Sequence, residues 1–250
     1  MDYDQTDIAA SYDKARALMP KSARLWKDLL SVHVDRRKMS LLIDLGCGTG
    51  RFTYLLAAHF RVRVIGIDPS SKMIEQARRK PARGDLTFRQ GSAEALPLTD
   101  GCADLVFMSM IYHHLTDPSA VARECHRVLC SGGFACIRNG IRETDFPHRQ
   151  FFPSLEAMVA AELPSQHDVR GVFLAAGFNE VTHRVVTQVV APDWHHFVEK
   201  SALRADSFLA RLSDREFEEG MAALRCPGAA IEQNDPVTEE IGWFVFARSG

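Results

Sequence analysis

The sequence lacks the features that would place the chain in a membrane or tie it to metal ions. No apolar run reaches the roughly 20 residues that cross a bilayer, and residues 1–16 are polar where a secretory signal would be basic and then apolar. The six cysteines form no C-x-x-C pair and no cysteine–histidine cluster, which argues against structural zinc. We therefore expect a cytoplasmic protein with reduced cysteines, no metal and no membrane partner.

An excess of one sign of charge is also missing. The chain has 30 Lys and Arg residues against 32 Asp and Glu residues, a net charge of −2. No basic surface for nucleic acid is therefore expected. The 46% hydrophobic and 25% charged content is ordinary for a soluble globular enzyme, and 250 residues suffice for one α/β domain with an appendage.

Between residues 41 and 139, apolar runs alternate with segments of helical periodicity. The predicted strands cover 41–45, 63–67, 86–89, 103–108 and 134–137. Helices are predicted over 52–59, from Ser70 or Ser71 to Pro81, and over 120–130, the last one closed by residues 131–133 (Ser-Gly-Gly). This alternation predicts a parallel sheet covered by helices on both faces. The carboxyl ends of its strands share one rim, where such sheets bind ligands.

The flanking segments predict a less regular structure. Helices are predicted over 7–17 and 22–33 before the sheet begins, and over 169–176, 193–203 and 214–224 after it, with strands over 180–190 and 242–247. An insertion between the last two strands cannot be core, so it is a candidate cap over the rim. We expect an N-terminal helical lid at 1–38, a ligand-binding core at 39–140, and a remainder of the same domain at 141–250 whose cap, 193–226, forms a second pocket.

A glycine loop follows the first predicted strand. Gly46, Gly48 and Gly50 alternate, which lets the backbone turn sharply and approach a ligand without an intervening Cβ. A dinucleotide fingerprint would need a further glycine at position 51, where the chain has Arg51. Asp68 ends the second predicted strand 22 residues after Gly46, close to the spacing at which a carboxylate meets ribose hydroxyls. Its alternative role is to cap the following helix.

Together with later motifs, this stretch resembles the class I S-adenosylmethionine-dependent methyltransferases, in particular the small-molecule ubiquinone/menaquinone-methyltransferase type. The matching segments, in family order and at family spacing, are IDLGCGTG (43–50), GIDPS (66–70), GSAEALP (91–97), ADLV (103–106), HHL (113–115) and RVL (127–129). The resemblance implies an α/β fold with a Rossmann-like doubly wound seven-stranded, mostly parallel sheet, an antiparallel last strand, an N-terminal helical lid and a helical insertion between the last two strands. It also implies S-adenosylmethionine as cofactor and methyl transfer to an oxygen, nitrogen or carbon of a small-molecule acceptor by in-line displacement.

The same resemblance assigns residues to the cofactor. Asp44 and the backbone of Gly46 would hold the methionine amino group, Asp68 the ribose, and Met73 or Ile67 would lie beside the adenine. The full set of cofactor candidates is Tyr12, Asp44, Gly46, Gly48, Gly50, Asp68, Met73, Ser92, Ala93, Met108 and Ser109.

Two of these candidates carry alternatives. Ser92 stands where the family usually has an aspartate bound to the adenine amino group, so the Ala93 N–H is the firmer expected contact there. Tyr12 would either fold over the cofactor or simply pack in the lid.

The remaining candidates concern the methyl acceptor. His113 and His114 follow the fourth predicted strand, and either could accept a proton near neutral pH, although paired histidines here are a general family feature. Acceptor-binding candidates are Arg138, Asn139, Arg142 and Trp194. An inward-pointing guanidinium could hold a carboxylate or phosphate; the alternative is that the arginines are solvated or pair with nearby acids.

Two other functions stay open. An RNA or protein methyltransferase of this fold usually carries an Asn/Asp-Pro-Pro-aromatic run after the fourth strand, where residues 108–111 read MSMI. A protein that keeps the cofactor fold without turnover is the other alternative, because a fold does not determine a function.

Overall fold

A computed structural model describes residue 13 and residues 16–249, except 36, 82–83, 227 and 229–230. Its strands are β1 (Leu41–Leu45), β2 (Arg63–Asp68), β3 (Leu86–Gln90), β4 (Ala103–Ser109), β5 (Leu129–Asn139), β6 (Phe178–Ala191) and β7 (Val237–Arg248). Its α-helices are α1 (Pro20–Ser31), α2 (Arg51–Phe60), α3 (Ser71–Arg79), α4 (Pro118–Val128), α5 (Ser154–Glu162), α6 (Gln166–Ala175), α7 (Trp194–Ala202) and α8 (Asp214–Arg225).

All seven strands belong to one sheet, in the order β3-β2-β1-β4-β5-β7-β6. β1 to β5 pair in parallel, and β7 runs antiparallel to both of its neighbours. The predicted fold class is confirmed, including the antiparallel last strand. The chain steps outward from β1 to β3 and then returns to the other side of β1 with β4. The strand order therefore reverses between β1 and β4, the place where such sheets form a ligand crevice.

Apolar side chains on both faces of the sheet explain why helices cover it on both sides. Every residue of β1 is buried, as expected for a central parallel strand between two helical layers. One face packs against α1 and α2 through residues such as Leu30 and Phe52, and the opposite face packs against α4 and α6 through Val121 and Phe173. These two cores hold the strands in place, and the loops at their carboxyl ends form the rim.

A third apolar cluster lies outside the sheet. It joins α5, α7 and α8, with Phe152, Phe197 and Phe217 fully or nearly fully buried in it. α7 and α8 form the expected helical insertion between β6 and β7. Among the described residues no helix has both the length and the apolar character to cross a membrane, and no three metal-ligating side chains converge.

Three sequence expectations need correction. β5 begins at Leu129, so residues 131–133 lie inside the strand and do not close α4; the glycines accommodate an irregularity where the pairing with β4 shifts register. α5 was not predicted, because its apolar residues surround the helix instead of forming one stripe. β7 is longer than the predicted 242–247.

Of the predicted helix over 7–17, only residues 13, 16 and 17 are described.

Candidate active site

The glycine loop adopts the backbone conformation that its composition predicts. Gly46, Gly48 and Gly50 all have positive φ, at 69°, 53° and 79°. The N–H groups of Gly46 and Cys47 donate to the Ile67 carbonyl at 2.7 and 3.1 Å, which ties the loop to the end of β2. A Cβ at Gly46 would lie 2.2 Å from Cγ2 of Ile111. Only glycine fits there, and the loop therefore presents backbone to the rim.

Asp68 connects this loop to the next helix. Its carboxylate accepts from the Gly48 N–H at 2.8 Å and from the Ser70 N–H at 3.0 Å. The N-cap of α3 is the Ser70 hydroxyl, which accepts from the Met73 N–H at 3.1 Å. Asp68 is therefore not the helix cap, and its side chain, 8% exposed, borders a cavity at the rim.

That cavity, here called the large cavity, has a volume of about 370 Å³. It lies over the carboxyl ends of β1, β2 and β4, where the strand order reverses. Its walls include these predicted cofactor residues: Gly46, Gly48, Asp68, Met73, Ser92, Ala93 and Ser109.

The donor set of the large cavity fits S-adenosylmethionine. The volume falls in the usual range for small-molecule sites, roughly 300 to 1,000 Å³. Its lining includes the Asp68 carboxylate, which can accept hydrogen bonds from hydroxyl groups, the apolar side chain of Met73, and Gly46 and Gly48, which have no side chain. Ser92 donates its hydroxyl to Glu94. Because position 92 holds a serine and not an aspartate, the Ala93 N–H remains the expected adenine contact.

Other predicted cofactor residues do not border the large cavity. Asp44 is 1% exposed and accepts from the Thr53 hydroxyl at 2.6 Å. Burial raises the pKa of this carboxyl to about 7, against 3.8 ordinarily, and Thr53 only partly offsets the effect. Gly50 is the N-cap of α2, and Met108 is fully buried in β4. Tyr12 lies outside the described residues.

A backbone turn after β4 separates the large cavity from two smaller ones. Met110 has a φ of +59°, rare for a residue with a side chain, and its N–H donates to the Arg138 carbonyl at 2.7 Å. The short 3₁₀ helix Tyr112–His114 follows. Met110 and His114 border both the large cavity and a smaller cavity of about 60 Å³, here called the histidine chamber.

The histidine chamber continues into a further cavity of about 50 Å³, here called the basic chamber. The residues shared by the two chambers are Arg16, His148, Ala205, Asp206 and Glu239. Residues of the cap and of β6 and β7 line the chambers. No local pattern in the sequence predicts a role for His148 or Asp206, because His148 lies in a short 3₁₀ helix and Asp206 in an irregular segment that only the tertiary fold brings to the chambers.

Three histidines around the histidine chamber are neutral at neutral pH. Burial lowers the pKa of His113 and of His148 to about 4, and the pKa of His114 to about 3, with the neighbouring His113 as a second cause. Asn139 Nδ2 faces His113 Nδ1 at 3.4 Å, while the ring stacks on Phe208 with centroids 6.2 Å apart. His113 is therefore held in one orientation, while His114 lies on the wall shared with the large cavity.

The predicted acceptor residues occupy different positions. Arg138 is 2% exposed and borders the basic chamber. Asn139 is fully buried and fixes the turn, accepting from the Tyr112 N–H and donating to the Gly140 carbonyl. Arg142 points away, donating to the Leu163 carbonyl at 2.7 Å, and Trp194 packs inside the cap with its Nε1 donating to the Leu224 carbonyl. Neither of these two borders the chambers.

Comparison with known proteins supports the methyltransferase interpretation independently of the site geometry. Residues 43–137 match the family described as "Methyltransferase domain". The chain is 27% identical to the ubiquinone/menaquinone biosynthesis C-methyltransferase of Caulobacter vibrioides, across 74% of this chain and 86% of that protein. It is 34% identical to the demethylmenaquinone methyltransferase of Lactococcus lactis, across 52% of this chain and 54% of that enzyme. The chain thus spans about half the length of several curated relatives that it matches.

Solved structures agree in fold. The [4+2]-cyclase SpnF superposes with a TM-score of 0.66 at 18% identity, covering 99% of this chain and 93% of that one. A phosphoethanolamine N-methyltransferase of Haemonchus contortus, solved with S-adenosylhomocysteine, gives 0.64 at 17% identity, covering 97% and 57%. At such identity these two show the fold, while the family match and the curated relatives carry the assignment. Residues 43–137 thus form a methyltransferase domain with S-adenosylmethionine as its cofactor, and the chain is similar to class I S-adenosylmethionine-dependent methyltransferases of the small-molecule type.

Proposed function

We propose that the chain transfers the methyl group of S-adenosylmethionine to a small-molecule acceptor whose reactive atom lies in the histidine chamber. The observation that carries this proposal is the shared wall: Met110 and His114 border both the large cavity and the histidine chamber. A methyl donor on one side and an acceptor on the other would both contact these two side chains. The quinone C-methyltransferases among the relatives support a small acceptor.

The cofactor brings a sulfonium methyl group that is already activated, so the chain's task is alignment and exclusion of water. In this proposal the backbone at Gly46 and the Asp44 carboxylate hold the amino-acid end, and Asp68 accepts from the ribose hydroxyls. Met73 packs beside the adenine, and the Ala93 N–H meets its ring. Positions 108–109 lie at the end of β4, nearest to the reacting methyl group.

Histidine assistance is the second part of the proposal, and His114 is the better placed acceptor of the proton. His113 Nδ1 already faces the Asn139 amide, which suits an orienting role. With a pKa of about 3, His114 takes a proton only from a strong acid. A hydroxyl oxygen or ring carbon that has just received a methyl group is such an acid until it loses its proton, so transfer to His114 would follow bond formation.

The lid and cap assignments are also proposals. Asp13 lies against both the glycine loop and α3, accepting from the Thr49 hydroxyl at 2.6 Å and pairing with Lys80 at 2.6 Å. Arg16 pairs with Asp206 of the cap region at 2.9 Å. These contacts support a lid at 1–38 that touches both the core, 39–140, and the cap, 193–226, across the acceptor chambers.

The experiment is methyl transfer from labelled S-adenosylmethionine to a panel of phenols, quinols, amines and carbon acids. We expect at least one acceptor to be methylated. His114→Gln should then lower turnover about 100-fold without changing S-adenosylhomocysteine affinity. The matched control is His195→Gln, an exposed histidine of α7 whose side chain is 79% exposed.

Full turnover in both His113→Gln and His114→Gln would remove the histidine role. Methylation of bulk tRNA with no small acceptor modified would instead favour the macromolecular alternative.

A further inference from the structure

His148 borders both the histidine chamber and the basic chamber, and neighbouring aromatic rings hold it in place. It lies in the short 3₁₀ helix Pro147–Gln150, just before α5. Its imidazole packs against the rings of Phe197 and Phe152, with centroids 4.7 and 6.0 Å away. Because the ring is confined in this way, its two nitrogen atoms point in fixed directions and each can be assigned a role.

One ring nitrogen of His148 is bonded to the cap. His148 Nε2 lies 2.8 Å from the hydroxyl oxygen of Ser201, in α7. The same hydroxyl donates to the Phe197 carbonyl, one turn earlier in that helix, at 2.8 Å. A hydroxyl has a single hydrogen, so Ser201 makes both contacts only if it accepts from His148 Nε2. Ser201 therefore selects the tautomer of His148 in which Nε2 carries the hydrogen and Nδ1 carries a lone pair.

The other ring nitrogen, Nδ1, is a hydrogen-bond acceptor without a partner among the described residues. It is also not one of the unpartnered side-chain atoms that the fold seals from water. The cavities that His148 borders are the two chambers. Burial lowers the pKa of His148 to about 4, and the carboxylates of Asp206 and Glu239 oppose this only in part, so the ring is neutral at neutral pH. A neutral Nδ1 can accept from an O–H or N–H group of a ligand.

The other two histidines of the histidine chamber are placed differently. His113 Nδ1 already faces the Asn139 amide at 3.4 Å, and the centroids of the His113 and His114 rings are 4.1 Å apart. His114 borders the large cavity, whereas His148 borders the basic chamber and not the large cavity. A ligand whose reactive atom lies beside His114 would therefore meet His148 with a different part of its structure.

We propose that His148 determines specificity for the methyl acceptor: its Nδ1 accepts a hydrogen bond from a neutral hydroxyl or amine group of that molecule, at a position other than the methyl-accepting atom. This inference rests on the proposed function, which places the methyl-accepting atom in the histidine chamber beside His114. An acceptor that lacks the donor group displaces water from the chambers and leaves Nδ1 unpaired. Sites built to bond a hydroxyl or N–H group reject analogues without one for this reason.

The test uses the full chain saturated with S-adenosylhomocysteine, titrated calorimetrically with small aromatic probes. The probes are catechol, hydroquinone and aniline, each paired with the analogue in which methyl groups replace the donor hydrogens. We expect at least one probe to bind about tenfold or more tightly than its methylated analogue. His148→Phe keeps a packed ring and removes both nitrogens, so the preference should fall to about twofold or less. The matched control is Ser201→Ala, which breaks the same hydrogen bond but leaves Nδ1 in place and should keep most of the preference.

NMR of the wild type with isotope-labelled histidine side chains tests the same contact without a His148 variant. The free protein should contain a histidine with a protonated Nε2 and an unprotonated Nδ1, identified as His148 because Ser201→Ala changes its Nε2 signal. Binding of the preferred probe should move the Nδ1 signal toward the protonated range. Binding of its methylated analogue should not.

Each other outcome counts against the proposal. It would be overturned if no probe bound, if probes and methylated analogues bound equally, or if the preference survived in folded His148→Phe or disappeared in Ser201→Ala. An Nδ1 signal that is already protonated in the free protein, or that ignores the probe, would overturn it as well. If His148→Phe fails to bind S-adenosylhomocysteine, the NMR response decides. Failure of the wild type to bind S-adenosylhomocysteine would count against the proposed function, whereas normal cofactor binding without the preference would count only against this inference.

Discussion

Replacing Asp44 by asparagine should stabilise the protein at neutral pH and weaken its cofactor binding. Asp44 lies in the centre of the sheet, 1% exposed, with the Thr53 hydroxyl as its hydrogen-bond donor. Its pKa is raised to about 7, first by burial and secondarily by the charge of Asp68. A carboxylate in such a place destabilises the fold whenever it is ionised. Natural sequences keep such groups where a ligand makes use of them.

The magnitude follows from the two pKa values. Between about pH 4 and pH 7 the native state keeps a proton that the unfolded chain, with an ordinary pKa of 3.8, has lost. The free energy of unfolding therefore falls as pH rises through that window. Each pKa unit corresponds to about 1.4 kcal/mol, so the full effect at pH 8 is at most roughly 4 kcal/mol. Asp44→Asn removes this titration but introduces an amide donor, and we expect a net gain of about 2 kcal/mol at pH 8.

Urea unfolding at several pH values between 4.5 and 8 measures this directly. The matched control is Asp104→Asn, because Asp104 accepts from two backbone N–H groups and the Ser40 hydroxyl, and its pKa is lowered. Its loss should destabilise the protein at neutral pH, the opposite sign. A variant Asp44→Asn whose unfolding free energy follows the same pH dependence as the wild type would refute the reasoning. Undiminished S-adenosylhomocysteine affinity in that variant would refute the cofactor role of Asp44.

The loop glycines and the buried histidines give further predictions. Gly46→Ala should cost roughly 3 kcal/mol of stability, since a Cβ would meet Ile111 at 2.2 Å at a φ of +69°. Gly48→Ala should cost only about 1 kcal/mol, because nothing lies within 4 Å of its Cβ. Urea unfolding of both variants measures the two costs, and equal costs would contradict the contact with Ile111. His113→Gln should remove part of the acid destabilisation: the native pKa of about 4 lies below the ordinary 6.5, so stability falls as pH drops through that window, by roughly 2 kcal/mol at pH 5. Urea unfolding at pH 7 and pH 5 measures this loss of stability in the wild type and in His113→Gln. An equal loss in both proteins would show that His113 is already protonated in the native state at pH 5.

The cofactor half of the molecule was predictable because its signals are local. An apolar run that is buried on both faces, followed by alternating glycines, determines β1 and its loop with little help from the rest of the chain. The sequence predicted that Ser70 or Ser71 caps α3, and Ser70 is the cap, since capping depends on neighbours three residues away. Residues 131–133 misled the prediction because a Ser-Gly-Gly sequence suits both a helix end and an irregular strand, and pairing with β4 decides between them.

The acceptor half was not predictable to the same degree, because its side chains meet only through the tertiary fold. Arg138, Arg142 and Trp194 were equal candidates by sequence, yet Arg138 alone of the three borders a chamber. His148 and Lys200 lie 52 residues apart in the sequence and border the same cavity, and no sequence motif predicts that they meet there. Charge and burial around a cavity are properties of several segments at once, which a linear pattern does not record.

The most direct test of the central claim is calorimetric titration of S-adenosylhomocysteine into the wild type and Asp68→Ala. We predict one saturable site per chain in the wild type, weakened by about 1 to 3 kcal/mol in Asp68→Ala through lost ribose hydrogen bonds. Asp85→Ala, which removes an exposed aspartate at the opposite end of the same strands, should bind like the wild type. No saturable binding to the wild type, or unchanged affinity in Asp68→Ala, would contradict the account.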